Sequence, residues 1–260
     1  MARFCPLFSG SSGNCLYIGN ADGGVLIDAG VSARRIEKAL ADREIDPRRI
    51  RGIFVTHEHT DHTAGLRVLC KRYGTPVFAS SGTLSALEEG DVLGTARCLP
   101  WEQADLGDMA VTAFHTLHDC REGMGFCVET SDGRRVGVAT DLGVMTDEVR
   151  QALCGCDLIH IESNHDVRML ENGPYPYPLK RRILSDHGHL SNEACATELP
   201  LLVKGGTTRI SLGHLSRENN LPMLAEATAK AALTACGARE NVDYLLWVAP
   251  PENRQPACIF

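Results

Sequence analysis

Three histidines and an aspartate fall within six residues of one another, in Thr56-His57-Glu58-His59-Thr60-Asp61-His62. Neutral imidazole and carboxylate are donors that suit zinc, and manganese or iron as well. His57 and His59 alternate, so in an extended stretch both rings project to one side. Asp61 and His62 begin a turn and can address a second centre beside the first. A single loop histidine would read as a solvated side chain; four donors at this spacing read as a metal-binding loop. Further along, Val138-Ala139-Thr140-Asp141 leaves a carboxylate at the tip of an apolar run. It could cap the next segment, but with the histidine cluster in place the better reading is a bridge between two metals. Glu162 closes a similar run, Leu158 to Ile161, and His214 follows Arg209 to Gly213. His189 stands just before a helix start capped by Ser191, where free N–H groups favour anions. His160, inside its run, reads as a satisfied core histidine.

Strands and turns must hold these groups. Ile53-Phe54-Val55 predicts a buried strand ahead of the histidine loop. Behind the loop, Thr63 is positioned to cap a helix from Ala64 to Tyr73 closed by Gly74. Arg3 to Phe8 predicts a strand leading into Ser9-Gly10-Ser11-Ser12-Gly13-Asn14. That loop can present backbone N–H groups to an anion, or serve as a tight connection. On the first reading Ser12 and Asn14 are candidate substrate-binding residues. Cys15 to Gly19 and Val25 to Ala29 predict a hairpin across Asn20-Ala21-Asp22-Gly23-Gly24. Asp28 ends its second strand, where a carboxylate can hold the histidine loop without touching metal. Later units alternate strands with helices over Thr146–Leu153 and Ser191–Val203. Asn220 is expected to cap an alanine-rich helix, and the Pro-rich tail to be irregular.

The 260 residues, 43% of them hydrophobic, make a well-cored globular chain. No run approaches the roughly 20 apolar residues that span a bilayer, and no signal-peptide core is present. Eleven scattered cysteines predict reduced thiols and a cytoplasmic setting, with Cys154 and Cys156 as buried thiols. A net charge of −7 argues against coating nucleic acid with the whole surface, but leaves room for a local basic groove. The segment Tyr175-Pro176-Tyr177-Pro178-Leu179-Lys180-Arg181-Arg182 offers aromatics and cations that could stack bases and contact phosphates. Taken alone, the segment reads better as a proline-rich loop opening an amphipathic helix with a solvated basic face.

His57-x-His59-x-Asp61-His62, with Leu26-Ile27-Asp28-Ala29-Gly30 upstream, resembles the signature of the metallo-β-lactamase fold. Glu162, Gly188-His189 and His214-Leu215-Ser216 together resemble the nucleolytic branch that includes RNase Z. From residue 3 to about 250 the motif order is similar to the YycJ/WalJ-type bacterial family, regarded as DNA-directed exonucleases. His187 departs from the family pattern. The resemblance implies an α/β fold, the four-layer αβ/βα metallo-β-lactamase sandwich, as a single domain over 1–260 with the metal loops along one edge of the sheets. It implies two divalent ions, zinc or manganese. His57, His59 and His118 would hold one; Asp61, His62 and His214 would hold the other, with Asp141 bridging. Such a pair, about 3.5–4 Å apart, makes hydroxide available near neutral pH. Glu162 and His189 would form the catalytic pair at the scissile phosphate, alongside Asp141, and Lys180, Arg181 and Arg182 would meet the nucleic-acid substrate. His118 is preferred over His115 as the third imidazole because the family's third motif lies just past the strand.

Three other functions share parts of this pattern. A small-molecule ester, thioester or lactone hydrolase would use the same metals without needing His189 or the basic segment. A flavodiiron-type oxidoreductase is disfavoured, because His59 stands where such sites carry a glutamate and no flavin domain follows. A metal-stabilised interaction module would need only four closed ligands.

Overall fold

The computed structural model describes residues 1–90, the strand 96–98 and residues 104–260. An Asn-Ala-Asp-Gly-Gly turn lets the chain reverse between two apolar runs, so β1 (Arg3–Phe8), β2 (Cys15–Gly19) and β3 (Gly24–Ile27) form an antiparallel meander. Helix α1 (Ala33–Ala41) turns Ile36, Ala39 and Leu40 inward. β4 (Ile50–Phe54) returns parallel to β3 and feeds α2 (Thr60–Thr63) and α3 (Leu66–Tyr73), after which β5 (Val77–Ala79), α4 (Ser81–Glu89) and β6 (Ala96–Cys98) follow. The next strands are β7 (Ala104–Asp105), β8 (Met109–His115), β9 (Met124–Thr130) and β10 (Arg135–Ala139). Then come α5 (Asp147–Leu153), β11 (Leu158–Glu162), α6 (Val167–Asn172), α7 (Tyr177–Ile183), α8 (Asn192–Lys204), β12 (Arg209–Gly213), α9 (Pro222–Ala235), β13 (Leu245–Val248) and β14 (Cys258–Ile259). The strands make two seven-stranded sheets, ordered β14-β1-β2-β3-β4-β5-β6 and β13-β12-β11-β10-β9-β8-β7. This is the mixed α/β composition expected from the sequence.

The chain resolves into two compact units. The first comprises 1–113, 120–134 and 250–260; the second comprises 114–119 and 135–249. In the first, Leu7, Tyr17, Leu26, Ile36, Leu40, Ile53, Leu66 and Leu69 form one buried apolar cluster. In the second, β10 to β13 are parallel neighbours, and near-continuous apolar runs such as Leu158-Ile159 fit strands buried on both faces. Among the described residues no helix is long and apolar enough to cross a membrane.

Several local expectations need correction. Thr63 does not cap α3. The chain turns helical earlier, at Thr60, with His59 at the N-cap, and the Thr63 hydroxyl donates back to the His59 carbonyl at 3.1 Å. Asn220 is not the cap of α9, whose N-cap is Leu221. Its amide instead donates to the Ser163 and Asn164 carbonyls and to Asn192 Oδ1. The tail is not wholly irregular, since Cys258 and Ile259 pair with β1 and so cover an otherwise open sheet edge. Cys154 is exposed and only Cys156 is buried. The cysteines whose side chains are described are all free thiols.

Candidate metal centre

In the first unit, backbone hydrogen bonds fix the histidine loop from two sides. Asn14 N–H donates to the Asp61 carbonyl at 2.8 Å, Ala29 N–H to His62 at 2.8 Å, and Gly30 N–H to Asn14 at 2.7 Å. A Cβ on Gly30 would lie 1.6 Å from the Asp61 oxygen, so this close approach needs glycine. Asp28 is buried, and its carboxylate accepts the Thr56 N–H at 2.8 Å and approaches His62 Nδ1 at 2.7 Å. The Thr56 hydroxyl lies 3.0 Å from His57 Nδ1 and 3.1 Å from His62 Nδ1. With Nδ1 engaged in this way, His62 directs Nε2 toward Asp61 Oδ2, at 3.6 Å. His57 Nε2 and His59 Nδ1 converge to 2.9 Å. Asn14 is buried, with its amide 3.1 Å from His62 Nε2, whereas Ser12 is exposed.

In the second unit, the ends of three strands meet. Asp141, Glu162, His189 and His214 each offer a donor atom, all within 4.8 Å of one another. Glu162 Oε1 faces His189 Nδ1 at 2.9 Å and His214 Nδ1 at 2.7 Å, while Oε2 accepts the Leu142 and Leu190 N–H groups. One carboxylate therefore orients both imidazoles. His118 Nδ1 is 3.0 Å from the Gly188 carbonyl, and its Nε2 is 3.1 Å from Asp119 and 3.8 Å from Asp141. Asp28, Asp141 and His214 all have left-handed backbones, with φ of 63°, 57° and 54°. Such geometry is uncommon outside glycine and persists only where surrounding bonds over-determine it. It re-aims each side chain just past a strand end.

The donor chemistry in each unit fits a divalent metal. His62, His118 and His214 have one ring nitrogen held by a carboxylate or a carbonyl, the pattern that fixes the tautomer of a metal-ligating imidazole. Charge shapes the second unit further. Burial alone would raise Glu162, but the charges and hydrogen bonds of His189 and His214 hold it well below the usual carboxylate range. Burial lowers His189, yet Glu162 and then Asp141 more than offset this and raise it. Burial pushes His118 down, with Asp141 opposing.

The remaining candidates lie outside these clusters. His115 is exposed and sits 3.1 Å from Glu148, and His187 is exposed. Lys180 Nζ donates to the Glu171 carbonyl at 2.8 Å, Arg182 pairs with Asp119, and Arg181 is exposed. Sequence reasoning missed Thr56, Asp119 and the Gly188 carbonyl. Thr56 and Asp119 each adjoin a site histidine, which was the available signal. His165 is buried with neither ring nitrogen hydrogen-bonded, and burial drops it to about 4.

His160 is buried against the Ser211 hydroxyl at 2.9 Å. Burial, and secondarily His214, lowers it to about 3. Below its unfolded value of about 6.5 the unfolded chain takes up a proton that the folded chain refuses. Stability from this group is thus full above that pH and is lost as pH falls toward about 3, by about 1.4 kcal/mol per pH unit. Urea unfolding of His160→Gln between about pH 6 and 4 should show a slope shallower by that amount. A slope equal to wild type would show that His160 is protonated in the fold.

Residues 24–215 match the family model described as the beta-lactamase superfamily domain. The chain is 37% identical over 244 residues to the exodeoxyribonuclease YycJ of Bacillus anthracis, covering 90% of each protein. It is 34% identical over 260 residues to the exodeoxyribonuclease WalJ of Streptococcus pneumoniae serotype 2, covering 98% of this chain and 96% of that protein. Among solved structures, the metallo-β-lactamase fold protein YhfI from Bacillus subtilis aligns with a TM-score of 0.73 at 14% identity, covering 97% and 98% of the two chains. The αβ/βα metallo-β-lactamase fold expected from the motifs is therefore this chain's fold, and the chain belongs to the metallo-β-lactamase superfamily, in the family of the YycJ and WalJ proteins.

Proposed function

We propose that this protein is a metal-dependent phosphodiesterase that degrades DNA as an exonuclease. The observation that carries this reading is the shared carboxylate of Glu162, which orients His214 and also the partly exposed His189. A hydrolase needing only metal ligands has no use for the second, outward imidazole. A phosphodiesterase does, because charge builds on the phosphoryl and departing oxygens. The names of the curated relatives, both exodeoxyribonucleases, support the same substrate class.

The ligand assignment is His57, His59 and His118 for one ion, Asp61, His62 and His214 for the other, and Asp141 between them. Zinc and manganese are the candidate ions. When bound, the pair supplies an activated water and neutralises phosphoryl charge. His189, held by Glu162, donates a hydrogen bond or proton at the phosphate or the departing oxygen. Lys180, Arg181 and Arg182 border the substrate, with Ser12 and Asn14 contributing from the Gly/Ser loop. Residues 1–260 act as one domain in this reading, and the free thiols among the described cysteines fit a cytoplasmic protein.

Metal-replete protein should hold two ions per chain by elemental analysis, falling toward one in Asp61→Ala. A ceiling of one ion, unchanged by that substitution, would remove the binuclear assignment. The substrate is tested with end-labelled single- and double-stranded DNA and RNA, adding back each metal. Cleavage of small esters or lactones with none of these polymers degraded would transfer the protein to the small-molecule hydrolases.

A further inference from the structure

The three cations of α7 have different fates. Lys180 donates to the Glu171 carbonyl and Arg182 pairs with Asp119. Arg181 is exposed. Four residues before it, Tyr177 is 72% exposed, the one aromatic among the strongly exposed large hydrophobic side chains of the described residues. Leu184, just past the helix end, is 45% exposed. Positions 177, 181 and 184 are spaced i, i+4 and i+7, so they share one face of the helix. The face thus groups an exposed ring, a cation and a leucine.

The C-terminal end of this helix lies against the candidate site. The Ile183 carbonyl, in the last turn of α7, accepts the His189 N–H at 3.0 Å. A Cβ on Gly188 would lie 2.1 Å from that carbonyl and 2.3 Å from that of Arg182, so the loop backbone sits directly on the helix end. Gly188 in turn holds His118. From Tyr177 to Ile183 the helix rises about 9 Å.

We propose that the Tyr177–Arg181 face is a stacking platform for an unpaired strand of nucleic acid, so that the strand reaches His189 as separated nucleotides and not as closed duplex. The proposal rests on the nuclease reading above. Tyr177 takes the face of a base, which suits any sequence, because every base has one. Arg181 meets the phosphate beside it in a chain whose net charge of −7 leaves few positions attractive to a polyanion.

The test uses the full-length, metal-replete protein with a fluorescein-labelled oligothymidylate and a blunt duplex of equal length as probes. Removing a stacked aromatic typically weakens single-strand binding on the order of 10- to 100-fold. Tyr177→Ala should therefore raise the Kd for the single strand by that factor, with a smaller change for the duplex and an unchanged salt slope. Tyr177→Phe should restore binding, since the ring and not the hydroxyl is used. Arg181→Ala should weaken binding and lower the salt slope by about one. If wild type cleaves DNA but Tyr177→Ala binds the single strand normally, or weakens both probes equally, the platform is wrong and the nuclease reading stands. If wild type neither binds nor cleaves either probe, both fall together.

Discussion

His189→Ala is expected to slow single-turnover cleavage of labelled DNA by about 10²–10⁴ and to leave the metal content unchanged. That factor is what general acid or strong hydrogen-bond assistance supplies. Exposure separates His189 from His214, which shares its carboxylate. Its side chain is 20% exposed, whereas that of His214, on the same Glu162 oxygen, is 3% exposed. A partly exposed imidazole held by a carboxylate is accessible to a phosphate, whereas a fully buried one is shielded from it. His214→Ala should therefore lose metal and activity together. Glu162→Gln should resemble His189→Ala more weakly, because an amide still orients the ring but no longer supports its positive charge. Metal analysis beside single-turnover rates decides the matter. Were His189→Ala to shed a metal while His214→Ala kept both, the two roles would have to be exchanged. Were neither to slow DNA cleavage, the phosphodiesterase mechanism would fail.

The degree to which this site can be read from sequence follows the sequence separation of its parts. The donors His57, His59, Asp61 and His62 lie in one strand-to-helix turn, so their spacing alone fixes much of their geometry. Asp141, Glu162 and His214 were legible as strand-tip residues because apolar runs mark parallel strands well. What could not be read is the sharing of Glu162. It depends on the register of β11 against β12, which pairs Glu162 with Gly213 and so delivers His214 beside it. No local pattern encodes a register between strands fifty residues apart. The left-handed backbones at Asp28, Asp141 and His214 were equally hidden, since aspartate and histidine carry no turn signal as strong as glycine's. The same limit explains Asn220. Its side chain could serve a helix start or a distant pair of carbonyls, and only the packing of β11, α8 and the segment before α9 selects the second.

Asp28→Ala should cost the metal-free protein about 2–5 kcal/mol and weaken metal binding about 10- to 100-fold. The carboxylate is buried, and it accepts the Thr56 N–H and hydroxyl and faces one ring nitrogen of His62. Each buried polar group left without a partner is worth about 1–3 kcal/mol. Alanine also adopts φ of 63° less readily than aspartate, whose short polar side chain tolerates that region. The two effects can be separated with Asp28→Asn. Asparagine keeps an acceptor for the Thr56 N–H and tolerates the left-handed backbone, so most of the folding free energy should return. It does not return the negative charge that polarises His62, so metal affinity should stay depressed. Urea unfolding of the stripped protein gives the first quantity, and competition against a chelator gives the second. If asparagine restored metal affinity in step with stability, Asp28 would be holding the shape of the loop and nothing more. If affinity remained low in a fully stable Asp28→Asn protein, the negative charge of Asp28 would be what tunes His62, and Thr56, poised between His57 and His62, would be the next residue through which that charge acts.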